Sequence, residues 1–197
     1  MNSLRRCGIY FLLCALSYFF HPLLVFSQTA PSATLQTADA EQASQHDFDF
    51  NIGTWKTHIM YLEHPLTGSS AWDELDGTVV VRKIWDGRAQ VEEFKSDNSE
   101  AHFESTLLRL YNPDSHQWSF IYGNDGGTIL CAHMIGGFKN GQGEFVDHEP
   151  FNGKLILART RWSYIARDSH RYEIAFSDDN GKTWETNFIA AWTRKKS

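Results

Sequence analysis

The chain has 197 residues, with 24 acidic and 18 basic side chains and a formal charge of −6 at pH 7. That length holds one domain with a substantial core. An acidic chain without a basic stripe argues against a nucleic-acid partner.

Residues 1–27 have the grammar of an export signal. Arg5 and Arg6 supply a positive start, an apolar run from Cys7 to Phe26 follows, and Val25-Phe26-Ser27 offers a small-residue cleavage site. An uncleaved membrane anchor is the rival reading, weakened by His21 and Pro22 within the run. Cleavage would place the mature protein in the periplasm or outside the cell, with no membrane contact of its own. It would also remove Cys7 and Cys14, leaving Cys131 unable to form an intrachain disulfide and best read as a small buried apolar residue. Residues 28–45, rich in Ala, Gln, Ser and Thr without an apolar period, read as a flexible linker. The folded domain is expected over 46–197.

From residue 46 onward the chain reads as short strands separated by turn chemistry. Runs at 54–63, 77–85, 88–96, 102–111 and 117–123 are followed by others at 128–138, 143–149, 154–166, 171–177 and 183–194. Asp86-Gly87 is a two-residue hairpin signal, and Pro65, Pro113 and Pro150 fall where turns are expected. No stretch has a 3.6-residue apolar period. About ten strands joined by short turns make a meander, and a meander that long tends to close on itself to remove its edges. The expected fold is therefore all-β: an antiparallel meander closed into a roughly ten-stranded barrel, with a two-sheet sandwich as the alternative. Aromatic residues at 14 % of the chain suit either core.

"FSDDNGKTW" (176–184) carries the pattern Ser-x-Asp-x-Gly-x-Thr-Trp at Ser177, Asp179, Gly181 and Trp184. It resembles the Asp box of sialidase propeller blades. A propeller needs at least four four-stranded blades, which about 150 residues cannot supply. The motif is read as a hairpin device: Asp bonds turn amides, Gly supplies a positive φ, and Trp covers the loop.

Gly53-Thr54-Trp55 resembles the first-strand signature of lipocalins and other calycins. That resemblance implies a Trp closing one end of the barrel against an Arg near the end of the last strand, here Arg194. A wider set of segments, "HDFDFNIGTW", "LRLYNPDSHQWS", "GGFKNGQGEF", "NGKLILARTRWS" and "FSDDNGKTWETNFIAAWTR", resembles in order a family of bacterial exported lipocalin-like domains of unknown function. Asn180 and Phe188 stand where that family usually has Gly and Trp. The resemblance implies a calycin barrel and brings no activity with it.

Alternation assigns faces but not their direction. Phe188, Ala190 and Trp192 share one face of the last strand. Tyr172, Ile174 and Phe176 oppose Arg171, Glu173 and Ala175 in the strand before. Arg159 and Arg161 oppose Thr160 and Trp162 in the one before that. Aromatic faces turned inward would make an apolar pocket walled by Trp55, Tyr122, Trp162, Phe188 and Trp192, with Arg159 and Glu173 as polar contacts. Charged faces turned inward would gather Arg159, Glu173 and Arg109 into a cluster for carboxylate recognition or acid/base work. Adjacent Glu92 and Glu93 point to opposite faces and cannot act as a dyad. Asp147, His148 and Glu149 are read as a barrel mouth or a solvated rim. His64, His116 and His170 are read as turn residues. His58 and His133 lie in strands, where haem ligation is the sharp reading and an ordinary hydrogen bond the plain one. The other histidines lack ligand spacing, so neither a metal nor a cofactor is expected. The first functional reading is a module that binds a small apolar or amphipathic molecule. A cofactor-free isomerase, cyclase or hydrolase is the second, and a filled structural barrel the third.

Overall fold

The computed structural model describes residues 44–98, 102–126 and 129–196, with side chains within 129–139 taken from residue 134 onward. The expected export segment and nearly all of the expected linker lie outside these residues, as do the side chains of Cys131 and His133. Ten strands follow one another: β1 (Gly53–Leu62), β2 (Trp72–Ile84), β3 (Ala89–Ser96), β4 (Glu104–Asn112) and β5 (Gln117–Asn124), then β6 (Ile129–Lys139), β7 (Gln142–Phe151), β8 (Lys154–Ser163), β9 (Ser169–Ser177) and β10 (Glu185–Arg194). Each pairs antiparallel with the next, and β10 returns to pair β1 from Trp55↔Arg194 to Tyr61↔Phe188. The sheet is a closed ten-stranded barrel, and closure excludes the two-sheet sandwich.

Turn chemistry accounts for several of the connections. Lys139↔Gln142 and Phe151↔Lys154 are joined by Asn140-Gly141 and Asn152-Gly153, each pair with both φ angles positive. This is the type I′ geometry whose twist matches the flanking strands. The turn at Asp86-Gly87 is wider than the two residues expected. Trp85, Asp86 and Gly87 all have positive φ in a short 3-10 turn.

Two boundaries depart from the sequence reading. β2 begins at Trp72, five residues before the expected 77, because Asp73, Glu74 and Asp76 belong to the strand. Asp73 accepts a hydrogen bond from the Tyr61 hydroxyl at 3.2 Å at the mouth of the barrel, and Asp76 bonds His58 at 2.9 Å on the wet outer face, both cross-strand. Charges there help the pairing instead of breaking it. β7 runs through Pro150, which lies opposite Leu155, and the turn comes at Asn152. Near a strand end the missing proline N–H costs little.

The segment before β1 closes one end of the barrel. A 3-10 turn (Asp49–Asn51) feeds Phe48 inward, where it is fully buried. Its ring lies 4.9–5.8 Å from those of Trp118, Phe120, Phe138, Phe145 and Trp162, mostly edge to face. Aromatic quadrupoles favour such angles over face-to-face stacking. A second cluster joins Trp55, Ile59, Val79, Val81, Phe94, Ala190 and Trp192 along the β1–β3 and β10 walls.

Candidate functional site: the barrel lumen

Beyond the aromatic plug the lumen holds a cavity of about 730 Å³, within the usual range for small-molecule sites. The third functional reading, a filled barrel, does not describe this interior. The wall is largely apolar, with Ile59, Phe94, Leu107, Ile174 and Phe188 among its residues. The cavity reaches the barrel end marked by Tyr61, Phe103 and Phe176, where His102 and Glu149 also line it. Burial raises the pKa of the Glu149 carboxyl, and the nearby Asp147 carboxylate adds to the effect.

One ion pair lies at the inner end of the cavity. Arg109 of β4 is 1 % exposed and donates to Glu92 of β3, which is 14 % exposed. The Asn51 amide approaches the same Glu92 oxygen at 3.5 Å. The Arg109 guanidinium also sits 5.0 Å from the Phe48 ring centroid and 5.5 Å from that of Trp162. Its charge is thus met by a carboxylate on one side and by π faces on the other, which is how a buried cation is tolerated. Tyr172 faces the same space from β9. Burial raises its phenol pKa, the Glu92 charge adds to that, and a Thr160 hydrogen bond works in the opposite sense.

A second polar arrangement seals the closed end. The Arg194 guanidinium lies 3.9 Å from the Trp55 ring centroid. It donates to the carbonyls of Ile52 at 2.7 Å, Phe50 at 2.8 Å and Arg167 at 2.8 Å. Gly53 has φ 126°, and a Cβ there would come within 2.6 Å of Arg194 Nη1, so only glycine admits the guanidinium. The Trp55 indole donates to the Asn51 carbonyl at 2.8 Å. Beneath this lid, His170 of β9 is 3 % exposed, with ring centroids 4.6 Å from both Trp55 and Trp192. Neither ring nitrogen has a hydrogen-bond partner among the described residues. Burial lowers its pKa to about 3, helped by the charges of Arg109 and Arg194. His170 was expected in a turn. It lies instead in β9, which starts two residues earlier than its apolar run suggests.

The candidate ligand-binding residues separate by position. Tyr122, Phe188 and Trp192 line the cavity. Trp162 is buried in the plug and Trp55 under Arg194, so neither wall position belongs to the cavity. Arg159 and Glu173 are corrections. β8 and β9 turn Thr160, Trp162, Tyr172 and Ile174 inward, and alternation therefore puts Arg159 and Glu173 outside. Arg159 packs 4.2 Å from the Trp184 ring centroid, and Glu173 pairs with Arg171 at 2.9 Å. The proposed cluster of Arg159, Glu173 and Arg109 does not assemble, and Arg109 pairs with Glu92. Glu92 and Glu93 do point to opposite faces, Glu93 binding Arg82 outside at 2.5 Å. The sequence signal for Glu92 was its place two residues before Phe94 on one strand face. His58 is exposed on the outer face, where it cannot ligate a group in the lumen. Among the described residues no three His, Cys, Asp or Glu side chains are grouped to hold a metal ion.

The Asp-box segment is a hydrogen-bonded loop on the outside. Asp179 Oδ1 accepts from the Ser177 hydroxyl at 2.8 Å and the Thr183 amide at 2.9 Å, and Oδ2 accepts from the Thr183 hydroxyl at 2.7 Å. The Gly181 amide donates to Ser177 Oγ at 2.8 Å, and the Trp184 indole donates to the Gly181 carbonyl at 3.1 Å. The Thr183 amide and hydroxyl and the Ser177 hydroxyl hold the Asp179 pKa near 2. Each group is occupied by its neighbours in the loop, and none faces the cavity.

Among solved structures, the S-type phycobiliprotein lyase CPES from Guillardia theta superposes with a TM-score of 0.50, at 12 % identity, over 80 % of this chain and 95 % of that one. The chain shares its lipocalin-like barrel fold. At that identity the likeness concerns the fold. No protein-family model and no curated protein matches the chain.

Proposed function

We propose that this protein is an exported barrel that holds a small, largely apolar molecule in its lumen. The observation that carries the reading is the apolar cavity of about 730 Å³ inside a closed barrel. Apolar surface left uncovered at the centre of a fold is costly, and a ligand of matching character removes that cost. The fold shared with a phycobiliprotein lyase supports a lumen that receives small molecules. The sequence resemblance to exported lipocalin-like domains and the signal-like residues 1–27 support a site of action in the periplasm or outside the cell. An enzyme of the kind first considered would need Arg159 and Glu173 in the lumen, and both face outward. Native mass spectrometry of the protein isolated from its own host tests the reading. A co-purifying mass of a few hundred daltons, released by denaturation, is expected. A bare polypeptide that also binds nothing from a lipid extract of the host would overturn it.

A further inference from the structure

The inner end of the lumen carries one charged pair, Glu92 and Arg109. Both hydrogen bonds to Glu92, from Arg109 Nη2 and from Asn51 Nδ2, end on Oε2. Among the described residues none donates to Oε1, and Glu92 faces the cavity from an inward position of β3. Arg109 is different. Its Nε and Nη1 are buried without a hydrogen-bond partner among the described residues, amid the rings of Phe48, Phe120 and Trp162. Of this charged pair, the group that offers a ligand an open hydrogen-bonding position is therefore an acceptor, the second carboxylate oxygen, with the arginine nitrogens enclosed among the rings.

Charge decides what kind of donor suits that oxygen. Glu92 and Arg109 cancel one another, so the inner end of the cavity has no net charge to satisfy. An anionic head would meet a carboxylate oxygen. A cationic head would lose its hydration for a carboxylate already neutralised, and burying an ion on those terms is unfavourable. A neutral hydroxyl or N–H loses little on leaving water and gains a hydrogen bond to a charged acceptor, the stronger class. The Tyr172 phenol across the lumen stays protonated, since burial and Glu92 both raise its pKa, and it adds no competing negative charge.

We infer that the cavity takes an uncharged, largely apolar molecule bearing a hydroxyl or N–H donor, and that this donor bonds Glu92 Oε1. The inference rests on the binding function proposed above and names the chemistry of its ligand.

The test uses the full-length mature protein with 1-aminoanthracene as a fluorescent occupant of the lumen. Four competitors share one ten-carbon chain: 1-decanol, decyl methyl ether, decanoate and decylammonium, all at pH 7.5. Decanol should displace the fluorophore at about one-tenth the concentration the ether needs, as one hydrogen bond to a charged group warrants. Both charged competitors should be weaker than decanol. The double variant Glu92→Leu/Arg109→Met removes acceptor and charge together, and should bring decanol and the ether within about twofold while the ether still binds. Glu92→Gln keeps the shape but leaves Arg109 unbalanced, and should raise decanoate relative to decanol. Equal displacement by decanol and the ether in the unaltered protein would overturn the inference and leave lumen binding standing. So would tightest binding by decanoate or decylammonium. A protein that binds neither the fluorophore nor any competitor would overturn the inference and the binding function together.

Discussion

His170 makes the barrel sensitive to acid in a way that can be calculated. In the folded protein it is 3 % exposed between Trp55 and Trp192, with a pKa near 3, against an ordinary value of 6.5 once the chain unfolds. A depressed folded pKa means that the unfolded chain binds the proton more readily. The stability it confers is whole above pH 6.5 and is lost as the pH falls towards 3. At pH 5 the unfolded chain is already almost fully protonated at this residue and the folded protein is not. The loss between pH 7.5 and pH 5 is about 2 kcal/mol from this one side chain, and the figure holds for any folded pKa below about 4. Urea denaturation at both pH values gives the difference for the unaltered protein and for His170→Leu, an apolar replacement that sacrifices no hydrogen bond to the described residues. The variant should show a pH dependence smaller by about 2 kcal/mol, since the remaining histidines contribute equally to both. Matching pH dependences within about 0.5 kcal/mol would refute the reasoning, as would a His170 ring resonance titrating near its ordinary value.

Phe48→Ala should lower stability by about 3–5 kcal/mol in the same denaturation assay, because the ring fills the centre of the aromatic plug. Arg194→Met removes three hydrogen bonds and the contact with Trp55, and should cost about 3 kcal/mol or more. Arg194→Lys should recover little of that loss, since an ammonium cannot reproduce the planar fork that reaches the carbonyls of Ile52, Phe50 and Arg167. Arg159→Ala and Glu173→Ala should each leave 1-aminoanthracene affinity within about twofold of the unaltered protein, as outward-facing side chains have no contact with the lumen.

The meander was legible because its turns are local chemistry. Asn140-Gly141 and Asn152-Gly153 impose their own hairpins, and the runs between them have nowhere else to pair. Trp55 and Arg194 were legible as a pair only through a resemblance, since 139 positions of chain separate residues that the closure of β1 on β10 makes neighbours. The direction of the faces was not legible. In β8, Leu155 and Leu157 lie on the outer face with Arg159 and Arg161, while the inner face carries Thr160 beside Ile156 and Trp162. Each face mixes apolar and polar residues. Part of the reason is that Gly181 and Trp184 of the Asp-box loop pack near Leu157 and Arg159 on the outside. Glu92 was passed over because it was weighed against Glu93, its sequence neighbour, when its partner is Arg109 on the adjacent strand. His170 was misplaced because the apolar run of β9 begins after it, and only the aromatic box formed by β1 and β10 gives it a buried strand environment.

The central claim is that the lumen is a binding site, and one titration tests it most directly. Leu107 on β4 and Ile174 on β9 face the cavity from strands five places apart in a ring of ten, so they project from opposite walls. Exchanging both for Trp should obstruct the lumen while leaving the outer surface unchanged, and Leu107 also borders the aromatic plug, so the fold of the variant is checked first. Titrating 1-aminoanthracene into the unaltered protein should give saturable, blue-shifted emission with one site per chain. The Leu107→Trp/Ile174→Trp variant, folded by circular dichroism, should bind at least about tenfold more weakly, because overfilling a packed interior costs more than a kilocalorie per mole. Equal binding by the two proteins, or no saturable signal from the unaltered one, would contradict the claim.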